Sequence, residues 1–384
     1  MILTCVSGGG QRAALWTLKV LQYADEMNNG QLMENTMLMT GASGGLIGAS
    51  YFRELVYQKK LGNDIDPYDS EHLSAIASDN LNAIIFSLLM NDVFVGFQKF
   101  EYEDLEYEKD RGYAFENRLN TNTNGLLNKP LISYKFPEQQ SKIPMLIMAP
   151  TIINDGRKLY ISPQNVTYLT NVSDSSGYNN KLNGIDFLRF LENQSSEKLR
   201  FLSGLRMSAT FPYITPNITL PSEPPTEIMD AGITDNFGVS DATRFLFAFK
   251  DWISENTSGV IILSIRDSEK DGPVQATQNL SLFERFTLPI SSIYENFEGL
   301  QDITNDNKIE YARSWFDGPN DRVDIQYVPE EYVQQNLSSS DELRMKNVHR
   351  ASLSWRLTGR EKKSVVSNID THANQQALLK LREL

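Results

Sequence analysis

The sequence is poor in cysteine, poor in histidine and has no excess of basic residues. Cys5 is the single cysteine in 384 residues, which excludes an internal disulfide and any cysteine-based metal site. The three histidines, His72, His349 and His372, are too scattered to suggest a metal centre. Acidic residues outnumber basic ones 49 to 36, giving a net charge of −13 and a pI near 4.9. Nucleic-acid binding needs a basic face, and a polybasic anchor on anionic lipid needs a cationic cluster, so both are disfavoured. The densest apolar run, residues 84–97, is broken by Asn91 and Asp92 and is too short to span a bilayer. No secretory leader is visible, because Met1 runs at once into Ile2-Leu3-Thr4-Cys5-Val6, which reads as a strand. A start inside a core strand suggests a truncated piece of a longer protein. Its unseen upstream part could carry membrane helices, so the expected location is cytoplasmic or membrane-associated.

What is present points to an α/β fold. At 40% hydrophobic residues the chain can build a large core, in one large domain or two ordinary ones. Residues 2–6 read as a strand, Ser7-Gly8-Gly9-Gly10-Gln11-Arg12 as a glycine loop, and Ala14, Leu18 and Leu21 as one face of a helix. Residues 36–40 read as a second strand, Gly41-Ala42-Ser43-Gly44-Gly45 as a sharp turn, and Leu46, Ile47, Phe52 and Leu55 as a second helix. Strand alternating with helix predicts parallel strands.

The second turn is a G-x-S-x-G elbow between strand and helix, the context in which that pattern presents a nucleophilic serine. Gly41, Gly44 and Gly45 leave room around a strained Ser43. The helix N-terminus favours negative charge there. Gly48 and Ala49 would let this helix lie close to the strand beneath. A plain glycine-rich turn is the alternative for the pentapeptide alone.

The first glycine loop has three readings. It fits the dinucleotide fingerprint G-x-G-x-x-G/A, but the acidic residue that fingerprint wants at the end of the second strand is absent, since that strand ends Met39-Thr40-Gly41. It fits an oxyanion hole, in which the N–H groups of Gly8, Gly9 and Gly10 converge on a developing negative charge. It could also be a structural turn. The serine elbow ending the next strand favours the oxyanion hole, because both loops then sit at one carboxyl edge.

Farther on, Glu227-Ile228-Met229 forms a short strand ending on Asp230, followed by Ala231 and Gly232. A carboxylate at the end of a parallel strand is where sites form, although Asp230 could instead cap the following segment. Between these stretches, residues 84–97 are expected to form a buried helix, or else a lid or acyl-pocket wall. Residues 102–111 are expected to be solvated, 117–129 a surface loop, and 151–162 a hairpin turning at Asn154-Asp155-Gly156. Residues 185–191, 199–207 and 245–252 read as helices and 259–265 as a core strand. After Asp267, residues 283–316, 341–356 and 373–384 read as helices and 322–328 as a strand, with His349 inside a helical pattern.

Taken in order, SGGGQRA, GASGG and DAGITDNFGV resemble the patatin-like acyl hydrolases, relatives of the cytosolic phospholipase A2 catalytic domain. RMSATFPYITP resembles that family's S-A-x-x-P block, and PMLIMAPTIINDGRKLYIS its central hairpin. Ala231 departs from the D-G-G of most patatins. The resemblance covers roughly residues 1–270, a catalytic domain in which 57–135 could be a lid or insert. Residues 271–384 are expected to be a mainly helical extension packed on it. The resemblance implies a three-layer sandwich with a mostly parallel central sheet flanked by helices. It also implies a lipid acyl hydrolase of the phospholipase A or lysophospholipase type, a serine esterase. In it Ser43 would be the nucleophile, Asp230 the base, and Gly8, Gly9 and Gly10 the oxyanion hole. Gly41 and Gly45 would shape the elbow, and Ala231 and Gly232 the aspartate turn. Arg12 would meet a substrate phosphate or brace its own loop. No cofactor or metal is required, and the partners would be a lipid or other acyl ester and, transiently, a membrane.

Three alternatives stand beside this reading. An α/β-hydrolase-type esterase would use a Ser–Asp–His triad with His349 or His372. A lipid-binding scaffold would carry an inactive site, and a nucleotide-binding oxidoreductase would use the first glycine loop.

Overall fold

The computed structural model describes residues 1–90, 98–170, 183–210, 218–270, 282–328, 330–332, 347–349 and 351–383. Its centre is a parallel sheet of five strands: β1 (Ile2–Val6), β2 (Thr36–Gly41), β3 (Met145–Met148), β4 (Val260–Arg266) and β5 (Asn320–Gln326). The order across the sheet is β5-β4-β1-β2-β3. Leu3 lies between Ile262 and Leu38, and Val6 between Ile265 and Gly41, so the strands around the centre end together. The two motif loops leave from that shared carboxyl edge.

Alternation along the strands builds the three layers. Ile2 and Val6 face one core with Trp16, Leu18, Leu46 and Phe52, from helices α1 (Gly10–Met27) and α2 (Ser43–Lys60). Leu3 and Cys5 face the other core with Val239, Leu246 and Ile253, from helix α3 (Val239–Asn256). Helix α4 (Leu282–Ala312) packs against α3 on that side. The architecture is therefore a three-layer α/β sandwich with a parallel central sheet, as expected. Residues beyond 270 supply the edge strand β5 as well as α4, so they complete the central sheet.

A second sheet joins the expected hairpin, Thr151–Ile152 and Lys158–Tyr160, to Gly184–Asp186 on one side and to Glu227–Met229 and Ile218–Thr219 on the other. Gly156 turns the hairpin with φ 73°. This sheet carries the strand that precedes Asp230; that strand pairs antiparallel on both sides, so Asp230 does not end a strand of the parallel sheet as expected.

Several expectations need correction. The segment at 185–191 is strand Gly184–Asp186 followed by the short helix Phe187–Phe190, because Asp186 caps that helix by accepting from Leu188 and Arg189 N–H. Residues 117–129 are partly helix, as Arg111–Asn122 is capped by Asp110 and buries Phe115, Glu116 and Leu119 along one face. His349 stands in strand Asn347–His349, paired antiparallel with Glu330–Tyr332, and not in a helix. Residues 351–356 are not helical either but irregular, with a bend at 353–355, and tertiary hydrogen bonds take up their carbonyls: the Trp355 carbonyl accepts from Asn80 and Leu81 N–H.

The run at 84–97 is not a buried core helix over its described part. Helix Leu81–Ser87 buries Ile84 but exposes Phe86 (67%), and Leu89 (57%) and Met90 (47%) beyond its end are exposed as well. Residues 91–97, with Phe94 and Phe97, lie outside the described residues. By length and composition 70–90 is a weak spanning candidate, but the chain breaks at 77–80 between helices Ser70–Ile76 and Leu81–Ser87.

Candidate active site

Ser43 sits where β2 meets α2, with φ 48°. A non-glycine residue in the left-handed region is strained, and here the surroundings enforce it. The Ala42 N–H donates to Val6 O at 3.2 Å and the Ser43 N–H to Ser208 O at 2.8 Å. Close packing does the rest. A Cβ on Gly44 would lie 1.8 Å from Gly10 O, and one on Gly48 would lie 2.3 Å from Ala14 O. The glycines thus let α2 press against α1 and its loop. Gly48 faces that helix and not the strand beneath, while Gly45 is the glycine that meets the β1 end at Ser7 O.

Asp230 comes from the second sheet and reaches the same edge. Its backbone N–H donates to Thr210 O, and the Ala231 N–H donates to Ser208 O, the carbonyl that also holds Ser43. The Ser-Ala-Thr block at 208–210 therefore fixes Ser43 and Asp230 relative to each other. Thr151 Oγ1 donates to Asp230 O at 3.2 Å. Gly238, at φ 71°, packs directly on Gly41, where a Cβ would come within 2.8 Å of the Gly41 backbone. The aspartate loop and the elbow are thus in contact through two glycines.

The carboxyl of Asp230 is buried, and burial pushes it up to about 7. The Gly232 N–H, donating to Oδ1 at 2.7 Å, and the nearby Ser43 hydroxyl pull the other way. Oδ2 has no well-formed hydrogen bond. A carboxylate with one open lone pair beside a serine hydroxyl is arranged to accept a proton. Both residues are enclosed, Ser43 being 7% and Asp230 3% exposed.

The three loop glycines differ. The Gly8 N–H is engaged by Asn236, through its carbonyl at 3.0 Å and its Oδ1 at 3.2 Å. Outside that pair, among the described residues the N–H groups of Gly9 and Gly10 have no intramolecular acceptor, while the Gln11 N–H donates to Ser354 O. Arg12 is buried, donating to Asp267 and to Ala351 O, with its guanidinium 5.8 Å from the centre of the Tyr327 ring. Asp267 also accepts from Ser7 Oγ. Asp267→Ala would leave a buried guanidinium without its carboxylate, a loss of about 3–5 kcal/mol. Urea denaturation should show this; a loss under about 1 kcal/mol would mean that the ion pair does not hold the loop.

Sequence reading missed several of these partners. Asn236 lies in a recognised motif, but its bonds to Gly8, to Glu298 Oε1 (2.6 Å) and to Gln301 Oε1 (2.7 Å) bring in α4, which carries no catalytic pattern. Residues 351–355 border the glycine loop only through backbone carbonyls, which leave no trace in residue identity.

Neither histidine with a described side chain contacts Asp230. His72 is paired with Tyr51 Oη and Asp66 O, each at 3.0 Å, and His372 is exposed beside Gln376.

Among solved structures, human GIVD cytosolic phospholipase A2 is similar over 100% of this chain and 63% of that one, at 10% identity and TM-score 0.42. The same human enzyme in complex with methyl gamma-linolenyl fluorophosphonate gives 11% identity, TM-score 0.43 and 59% of that chain. VipD from Legionella pneumophila gives 11% identity, TM-score 0.35 and 66% of that chain. This chain thus spans about two thirds or less of those proteins. No curated protein matches it. Residues 4–243, well over half of the sequence, match the patatin-like phospholipase family, with the serine elbow, the glycine loop and Asp230 all inside the match. The chain therefore belongs to the patatin-like phospholipase family.

Proposed function

We propose that this protein is a lipid acyl hydrolase of the phospholipase A or lysophospholipase type, working through a Ser43–Asp230 dyad. The observation that carries the reading is Ser43, held at φ 48° beside a buried carboxyl raised to about 7. In the proposed reaction Ser43 Oγ attacks the ester carbonyl and Asp230 takes its proton. The tetrahedral oxyanion is met by the N–H groups of Gly9 and Gly10, ahead of the first turn of α1. Gly8 serves that loop indirectly, since Asn236 already engages its N–H. Protonated Asp230 passes the proton to the departing alkoxide, and the acyl group stays on Ser43. Asp230 then takes a proton from a water that attacks the acyl carbonyl, and returns it to Ser43 Oγ as the acyl–Oγ bond breaks and the acid leaves. Arg12 braces the glycine loop through Asp267, and no step needs a metal or cofactor.

An alkyl fluorophosphonate bearing a fluorescent tag tests this reading. It should label the wild type at Ser43, located by peptide mass spectrometry, and leave folded Ser43→Ala unlabelled. Label on another residue, or none on folded wild type, would overturn the reading.

We also propose that membrane contact runs through residues 81–90, LNAIIFSLLM, which carry no charge. Asn80 Nδ2 donates to Gln11 Oε1 and the Asn80 N–H to Trp355 O, so this apolar segment is rooted beside the glycine loop. With a net charge of −13, a zwitterionic lipid surface suits it better than an anionic one. Phe86→Asp/Leu89→Asp is expected to lower turnover on phosphatidylcholine vesicles about tenfold or more while sparing a soluble short-chain ester. Equal loss on both substrates would contradict the membrane role.

A further inference from the structure

A cavity of about 530 Å³ lies on the side of the Asp230 loop that faces α3, bordered by Lys158 of the hairpin and by the end of α4. Its walls include the rings of Tyr168, Phe247 and Trp315 and the cations Arg244 and Lys308. A neighbouring cavity of about 220 Å³ shares Thr234, Ser240 and Lys308 with it and is lined also by Asn305 and by Asp235, a partner of Lys158.

The charges in this region do not balance. Lys158 is paired with both nearby acids, Asp235 at 3.2 Å and Asp241 at 2.6 Å. Arg244 donates to a backbone carbonyl, that of Leu169, and Lys308 to the hydroxyl of Ser240 at 2.8 Å. Among the described residues neither cation forms an ion pair. Desolvation draws the Lys308 ammonium below the ordinary lysine range, with Asp235 and Asp241 opposing and Lys158 and Arg244 adding to it. Asn305 is 3% exposed, and among the described residues neither its Nδ2 nor the Tyr168 hydroxyl has a hydrogen-bond partner. Buried donors are normally satisfied, and the residues bearing these two line adjoining cavities beside two cations that have no carboxylate partner among the described residues.

We infer that these adjoining cavities form a second binding site, distinct from the ester-cleaving centre, for an organic anion with an apolar body. The carboxylate or phosphate head would sit at the shared wall, taking hydrogen bonds from Lys308 and Asn305. The body would lie along Tyr168, Phe247 and Trp315 with Arg244 flanking it. The site touches the candidate reaction centre through Thr234, whose Oγ1 is 3.3 Å from Ala231 O and 3.1 Å from Thr151 Oγ1, the donor to the Asp230 carbonyl. The inference does not depend on the proposed hydrolysis.

The test is equilibrium binding to folded Ser43→Ala protein, so that no ester chemistry intervenes. Trp315 fluorescence is the readout, with Trp315→Phe as the optical control. Decanoate and decyl phosphate, both below micelle formation, are compared with inorganic phosphate (head alone) and decanol (body alone). At least one amphiphile should bind about tenfold or more tighter than either fragment. Arg244→Gln/Lys308→Met should weaken that binding about tenfold or more, as truncating buried charge partners does. Asn305→Asp, which sets a carboxylate against the head, should weaken it as well. Tighter decanoate would identify a fatty acid as the ligand type, and tighter decyl phosphate a phosphomonoester. Two results would each overturn the inference: neither amphiphile binding below about 1 mM, or the double variant binding as tightly as its parent with an unchanged circular-dichroism melt.

Discussion

Ser43→Ala is expected to lower kcat/KM on a short-chain chromogenic ester at least about a thousand-fold, with the fold intact. On the proposed dyad, alanine removes the atom that forms the acyl intermediate and also relieves the hydroxyl's contact with Asp230. Asp230→Asn should cost a similar factor, because an amide cannot accept the serine proton. The double variant should be no worse than the worse single one, since both residues serve one proton transfer. The wild-type pH profile carries the same claim. A base that titrates at about 7 is unavailable in acid, so kcat/KM should rise through pH 7 and level off above it. At pH 5 the rate should be about one hundredth of its plateau. A flat profile from pH 5 to 8 would remove Asp230 as the base.

The second large effect is on stability, and it has the opposite sign. The Asp230 carboxyl is raised from 3.8 to about 7 by desolvation, with Gly232 and Ser43 opposing. The native state therefore holds a proton that the unfolded state releases between those values. Stability from this group is fully present below about pH 4 and is lost as pH rises through 7. Asparagine keeps an oxygen for the Gly232 N–H and carries no charge to bury. Asp230→Asn should therefore be more stable than wild type at pH 8, with a ceiling of about 4 kcal/mol, and close to wild type at pH 4. Urea denaturation at both pH values measures this. Equal differences at the two would mean that the gain does not come from the buried charge. Loss of activity together with gain of stability is what a carboxylate kept desolvated for chemistry should show.

The order of the central elements was legible because short-range rules govern it. Apolar runs at 2–6, 36–40 and 259–265 became parallel strands, and the glycines at 8–10 and 41–45 became the loops between strand and helix. Placement failed where distant contacts decide. The hairpin Gln98–Tyr102 and Leu105–Lys109 turns at Glu103-Asp104, both at positive φ and with no glycine to announce the turn. Residues 351–356 carry a helix-like spacing but are irregular, their carbonyls bonded to Gln11, Arg12 and Asn80. Phe86 and Leu89 read as core because composition cannot say which apolar face finds a partner. At the candidate site, Ser43 and Asp230 could be named from motifs, whereas the engagement of Gly8 by Asn236 and the hold of α4 on Asn236 could not. Those contacts join residues 62 to 228 positions apart and use common polar side chains.

The central claim is that a serine and an aspartate suffice without histidine. Its most direct test is the hydrolysis of one chromogenic ester by wild type, Ser43→Ala and His349→Ala/His372→Ala. The dyad predicts a histidine variant within about twofold of wild type and an inactive serine variant. A histidine variant that is folded but inactive would contradict the dyad and put a triad in its place.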